Sequence, residues 1–300
     1  MKKIYLLLIG TILFSSLLIG CTSDNPNLSY EANNVSEEVT TLVSTQEDDT
    51  DKTLEDNTLI FRDVFGQEYE TTINPNIAEN SYNNDAFSLD GYKLSYSEDD
   101  YVLGIDVSHH QGKIDWNKVK ANGYEFAILR VGYRGYGKTG SLNKDKLFET
   151  YYKEASEAGL KIGVYFFAQA INEAEAIEEA EFVLDILEER PIDLYVVYDP
   201  ESILDDEART DDVSGEQFTK NTLAFCNYIS ENSDYKPMIY ANMLWEAFML
   251  DISQLKDFPI WYADYEALPQ TPYMFDFWQY SNTGRVDGVS GDVDLDIWMN

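Results

Sequence analysis

Positive charge is scarce in this chain. Its 300 residues carry 21 Lys and Arg against 55 Asp and Glu, a formal net charge of −34. Binding a phosphate backbone or an anionic headgroup needs clustered cations, so DNA, RNA and anionic lipid are excluded as the ligand. Histidine and cysteine are also few, with two of each. His109 and His110 are neighbours and point oppositely on an extended chain. No His-x-x-x-His or cysteine pair accompanies them, so no metal site is expected. Cys21 and Cys226 are read as unpaired, the first closing an N-terminal apolar segment and the second sitting in a helix as a small buried hydrophobe. No Gly-rich phosphate loop follows the first strand of the main body, and no Gly-x-Ser-x-Gly elbow supports a triad through Ser108. No cofactor is expected.

What the chain does contain is apolar and aromatic matter, 44% and 14% of its residues, enough for one large core. Residues 1–21 read as a targeting segment: Lys2 and Lys3 lead an apolar run over 4–19, too short to span a bilayer comfortably. Leu18-Ile19-Gly20-Cys21 resembles a bacterial lipobox. That predicts a lipoprotein signal peptide, lipidation of Cys21, export, and a lipid anchor on the outer face of the bacterial membrane, facing the cell wall. Residues 22–57 are rich in Ser, Thr, Asn, Asp and Glu and cannot bury enough apolar surface to order themselves, so they read as a disordered acidic linker. Residues 58–100 read as a small β-rich extension. Leu59-Ile60-Phe61 and residues 69–73 suggest a hairpin across Gly66, and whether it packs on the main body stays open.

From Tyr101 onward strands and helices alternate. Strands are expected at 102–107, 126–131, 162–167, 194–198, 238–241, 260–263, 275–279 and 293–297, and helices at 116–122, 145–158, 173–189, 215–230 and, shorter, 243–250. Eight strands with about five main helices over 101–300 predict a TIM-like (β/α) barrel whose last strands are joined by loops. The acidic helix over 173–189 is expected to show a solvated face, with Phe182 and Leu184 packed inward.

The stretch that organises this body is Leu194-Tyr195-Val196-Val197-Tyr198-Asp199-Pro200-Glu201. It reads as a buried strand running into two carboxylates one residue apart. Pro200 ends the strand without a turn into helix. Side chains at i and i+2 point the same way on an extended chain, so Asp199 and Glu201 should project together. Two such groups repel when ionised, which raises a pKa and leaves a proton for acid catalysis. Asp106 ends the first strand and Asp294 lies on the eighth. Tyr240, Trp261, Tyr262, Trp278 and Gln279 stand on strands five to seven. Acids facing aromatics suit a sugar, whose apolar faces stack on rings, and suit glycosidic cleavage. Arg130, at the end of strand two, is the expected cation of so acidic a cleft.

The chain from Tyr101 to its C-terminus resembles the glycoside hydrolase family 25 lysozymes, which are N-acetylmuramidases. The resemblance rests on Gly104-Ile105-Asp106-Val107-Ser108, Ile114-Asp115-Trp116, Phe126-Ala127-Ile128-Leu129-Arg130, Lys161-Ile162-Gly163-Val164-Tyr165, Asp199-Pro200-Glu201, Ile239-Tyr240, Trp261-Tyr262-Ala263-Asp264-Tyr265, Trp278-Gln279-Tyr280-Ser281 and Gly291-Asp292-Val293-Asp294-Leu295, in that order. It implies hydrolysis of the β-1,4 bond between N-acetylmuramic acid and N-acetylglucosamine in peptidoglycan by a monomer. Glu201 would be the general acid and base and Asp199 its partner. Asp106 and Asp294 would line the opposite side, and Tyr165, Tyr240, Trp261, Tyr262, Trp278, Gln279 and Arg130 would contact substrate. Two departures stand out: Pro200, where an ordinary apolar residue is usual, and Asp296, where Asn is frequent. Participation of the substrate's own 2-acetamido group is expected, with an aspartate nucleophile as the alternative. A non-hydrolytic wall-binding lipoprotein is the competing function, and another amino-sugar polymer such as chitin is a further substrate.

Overall fold

The computed structural model describes residues 57–63, 66–203 and 206–299. The signal segment with Cys21 and nearly all of the acidic linker lie outside the described residues. Two hairpins come first. β1 (Thr58–Arg62) pairs antiparallel with β2 (Glu68–Thr72), and β3 (Phe87–Asp90) with β4 (Lys93–Tyr96). The second hairpin turns through Gly91, whose φ of 62° is left-handed backbone open to glycine at no steric cost.

The main body then runs β5 (Tyr101–Val107), α1 (Trp116–Ala121), β6 (Phe126–Arg134), β7 (Leu142–Lys144), α2 (Phe148–Glu157), β8 (Lys161–Ala168), α3 (Glu173–Leu187) and β9 (Tyr195–Pro200). It continues with α4 (Gly215–Asn232), β10 (Lys236–Asn242), a π turn at Trp245–Met249, α5 (Ile252–Leu255), β11 (Ile260–Ala263), β12 (Phe277–Gly284) and β13 (Val293–Met299). The helix expected over 243–250 is thus a π turn, followed by the single turn of α5.

Eight strands close a barrel in the order β5-β13-β12-β11-β10-β9-β8-β6, and a parallel ladder from β6 back to β5 seals it. β7 folds back antiparallel on the end of β6. Strands β5 to β12 of the barrel run parallel, but β13 is antiparallel to both neighbours. The TIM-like barrel expected from the sequence would have all eight strands parallel, so the last strand departs from it. The mouth receives the beginning of β13, which is why Asp294 lies directly across from Asp106. An antiparallel partner needs only a short connection, so no helix separates β12 from β13.

Alternation along each strand divides the side chains between two cores. Phe126, Ile128, Val197, Met238, Tyr240, Trp261 and Phe277 fill the barrel, with Val102, Tyr165, Tyr195 and Trp298 packed against them. A β-carbon on Gly104 would sit 2.2 Å from the Phe126 ring, so only glycine leaves that ring its place. The second core lies between the wall and its cover. α3 turns Ala176, Glu179, Ala180, Val183, Ile186 and Leu187 towards it, the three-four spacing of one helix face. Phe182 and Leu184, expected inward from the sequence, pack against this core while partly exposed, and Glu179 is fully enclosed. Arg134 Nε donates to it at 2.8 Å and Tyr198 Oη at 3.2 Å.

Beyond β10 the wall lacks long crossover helices, and the outward-facing rings of Tyr262, Phe275, Trp278 and Tyr280 need another cover. The extension provides it. Phe87 meets Trp278 edge-on at 5.4 Å, and Tyr82 meets Phe275 at 4.9 Å. The Tyr280 hydroxyl donates to the carbonyl of Tyr92 at 2.9 Å. The open question about residues 58–100 is answered: they pack on the barrel.

Candidate active site

Inward-facing residues near the mouth come from almost every strand: Asp106 on β5, Arg130 on β6, Tyr165 on β8, Asp199 on β9, Tyr240 on β10, Gln279 on β12 and Asp294 on β13. Glu201 follows one residue beyond β9, and Tyr265 two beyond β11. β9 ends at Pro200, which pairs with Ala168, so the proline closes the strand as the sequence suggests. It is a strand-end residue whose missing N–H costs no interior ladder bond. The charge of Asp106 acts on Asp199, Glu201 and Asp294, and that of Glu201 on Asp199 and Asp294, so these acids line one space.

Burial dominates their titration. The Glu201 carboxyl is pushed up to about 7, first by burial and then by the charge of Asp106, against a hydrogen bond with Tyr240. Asp106 is also pushed up to about 7 by burial, against hydrogen bonds with Gln279, Asp296 and Asp294. Asp199 lies well above the usual carboxylate range because of burial, Glu201 and Asp106, with Arg130 opposing. Asp294 is raised likewise by burial, Asp106 and Glu201. The cleft therefore holds protonated carboxyls near neutral pH.

A hydrogen-bonded floor orients these groups. Gln279 Nε2 donates to Asp106 Oδ2 at 2.7 Å, while its Oε1 accepts from the hydroxyls of Tyr240 at 3.0 Å and Tyr265 at 2.7 Å. Two phenol donors on Oε1 fix which way the amide faces. Trp261 Nε1 donates to Asp296 Oδ1 at 2.9 Å, and its ring packs edge-on against Tyr240 at 4.9 Å and Tyr165 at 6.1 Å. Only 1% of Trp261 is exposed, so it supports the cleft from below and offers no stacking face.

Tyr262 and Trp278 are not in the cleft, contrary to the sequence reading. They neighbour Trp261 and Gln279, and a strand cannot turn two consecutive side chains to one face. The Tyr262 hydroxyl donates to Asp264 Oδ2 at 2.7 Å and Trp278 Nε1 to the Asp264 carbonyl at 2.8 Å, on the outer wall. Arg130 does reach the cleft's electrostatics, acting on Asp199 and Tyr165. It is tied down as well: Nε donates to Asp145 Oδ2 at 3.0 Å, and Nη2 lies 2.7 Å from His109 Nδ1.

Several supporting residues escape a reading of the sequence. Tyr265 stands out there only as part of a motif. Gln169, just past β8, is fully buried, and its Nε2 donates to the carbonyl of Glu201 at 2.6 Å. Its own amide oxygen accepts from Thr210 at 2.9 Å, and Arg209 donates to its carbonyl at 3.0 Å while gripping both oxygens of Glu175 at 2.7 Å. A bidentate pair of this kind fixes direction as well as charge. Nothing local in the sequence links Gln169 to Glu201, because the contact spans 32 residues.

Residues 105–289 match the family described as glycosyl hydrolases family 25. The autolytic lysozyme of Clostridium acetobutylicum is 30% identical over 197 residues, covering 65% of this chain and 55% of that protein. Lysozyme M1 of Streptomyces globisporus is 31% identical over 212 residues, covering 64% of this chain and 66% of its own length. This chain thus spans about half to two thirds of the relatives it matches. Among solved structures, the bacterial lysozyme from Streptomyces coelicolor superposes with a TM-score of 0.53 at 27% identity, covering 65% of this chain and 90% of the other. With the matched segment taking in most of the barrel, the chain belongs to glycosyl hydrolase family 25.

Proposed function

We propose that the protein is a peptidoglycan hydrolase of the lysozyme type, cleaving the β-1,4 bond between N-acetylmuramic acid and N-acetylglucosamine. The observation that carries this reading is the pairing of Asp199 and Glu201 at one strand end, both acted on by the charge of Asp106, with Glu201 also acting on Asp294. Glu201, held neutral up to about pH 7, protonates the leaving oxygen and then accepts a proton from the attacking water. Asp199 Oδ1 is buried and accepts no hydrogen bond from the described residues. A buried acceptor of this kind is suited to the N–H of a 2-acetamido group, which favours participation by the substrate over attack by an aspartate. Asp106 and Asp294 form the other wall. The names of the relatives support the same substrate.

Digestion of purified peptidoglycan followed by mass analysis of the products tests this. Muropeptides with muramic acid at the new reducing end are expected. Glucosamine at that end, or cleavage of chitin in preference, would refute the bond assignment. A covalent sugar trapped on Asp106 or Asp294 in Asp199→Ala would refute acetamido participation. We also propose that Cys21 is lipidated and tethers the enzyme outside the membrane. Loss of radiolabelled palmitate in Cys21→Ser is the expected result, and retained label would overturn it.

A further inference from the structure

Asp296 lies deeper in the barrel than the four cleft acids. It sits on β13, fully enclosed, and faces the axis two residues beyond Asp294. Oδ1 accepts the indole N–H of Trp261 at 2.9 Å, but Oδ2 is buried with no donor among the described residues. A dehydrated carboxylate oxygen with no donor is costly, while an O–H at the same place is cheap when an acceptor is near. The acceptor is Asp106, the diagonal same-face neighbour of Asp296 across the β13–β5 ladder, to which Asp294, directly opposite, also bonds. The fixed donors separate their roles. The Gln279 amide, its orientation set by two tyrosine hydroxyls, points at Asp106, and nothing comparable reaches Asp296 Oδ2.

We propose that Asp296 is a positioning residue that carries a proton on its free oxygen and donates a hydrogen bond from it to Asp106, orienting that carboxyl in the cleft wall and favouring its ionised form. This rests on the reading of Asp106 as a cleft acid. The charged groups acting on Asp296 are Asp106 from β5 and Asp294 from its own strand, with the Tyr280 phenol coupled to it from β12. Burial, and after it the negative charges of Asp106 and Asp294, keeps the carboxyl well above the usual range. The arrangement makes Asp296 serve as an amide would: one oxygen accepts from Trp261, and one donor faces Asp106.

The test compares the protein with Asp296→Asn, which keeps an acceptor and a donor but cannot ionise, and Asp296→Leu, which keeps neither. A carboxyl raised in the folded state gives stability that is complete below its unfolded pKa and is lost as pH rises through the folded one. Between pH 5 and pH 9 the unmodified protein should therefore lose at least about 5 °C more in melting temperature than Asp296→Asn. Equal slopes would overturn the proposal. In kcat/KM on peptidoglycan, the acid limb should move up by about one pH unit in Asp296→Leu, because Asp106 loses a donor, and stay in place in Asp296→Asn. Movement of the limb by the same amount in both variants would also overturn it. If the unmodified protein failed to cleave peptidoglycan, the proposed function would fall, while the melting profiles would still decide where the proton resides.

Discussion

Replacing Asp106 by asparagine should move the alkaline limb of the activity profile to lower pH. In the proposed mechanism Glu201 acts as an acid only while protonated, and its carboxyl is pushed up to about 7. Relative to an ordinary glutamate that is a preference for the neutral form of about 3 kcal/mol. Burial supplies the larger share and the charge of Asp106 the next. Removing the anion makes ionised Glu201 less costly, so its pKa must fall, and a neighbouring carboxylate in such a site is worth about one unit. At pH 7 the protonated fraction would then drop from about a half to about a tenth, a loss of about fivefold in rate from protonation alone. At pH 5 that loss should vanish. The assay is initial release of reducing ends from purified peptidoglycan between pH 4 and 9 at constant ionic strength. The substitution also removes whatever the Asp106 carboxylate gives the sugar, which scales the whole curve but does not move its limb. A limb that stays in place, or moves to higher pH, would refute the coupling between Asp106 and Glu201.

Further outcomes follow from the same geometry. Glu201→Gln should lower turnover by about 10²- to 10⁴-fold while sugar binding, measured by calorimetry, is largely kept; near-normal turnover would remove Glu201 from the mechanism. Gln169→Leu frees the carbonyl of Glu201 and should reduce kcat about tenfold with KM little changed. Equal kcat would show that the strand end holds itself. Phe87→Ala strips an edge-on ring from Trp278 and should cost about 2 kcal/mol in urea unfolding, with an unchanged pH profile. Because the surface is so acidic and peptidoglycan carries carboxylates of its own, moderate salt should raise activity by screening repulsion. A steep fall with salt would contradict this.

Much of the barrel was readable because its strands are short apolar runs and its early helices have clear starts. Asn172 and Ser214 cap α3 and α4 from the side chain, the residue types that mark a helix N-terminus in sequence. The four acids were readable because each stands next to a strand end. The direction of β13 was not, since period-two alternation reads the same forwards and backwards; only its pairing with β5 and β12 reveals it. The facing of the aromatics was readable in principle. Trp261 and Tyr262 are adjacent, so one had to leave the cleft, and only the outer partner, Asp264, identifies which. Glu179 was hidden for a different reason. A buried glutamate looks like a solvated one until Arg134, 45 residues away in sequence, is brought against it.

The placement of the extension follows from the same asymmetry of the barrel. Where α2, α3 and α4 cover the earlier strands, the connection from β11 to β12 is a loop, and that loop carries Tyr265. The extension fastens it along its length. Gln270 exchanges hydrogen bonds with the backbone of Arg62, the backbone N–H of Asn74 donates to the Tyr273 hydroxyl, and Asn80 and Pro272 join through their backbones. At its start, Asp264 accepts from Tyr262 and from the N–H of Gln270. One residue later, Tyr265 donates to Gln279, which donates to Asp106. The segment that the extension holds is thus the one that sets the orientation of a cleft acid through two hydrogen bonds. Residues 57–100 contribute to the geometry of the mouth as well as to the cover of the wall.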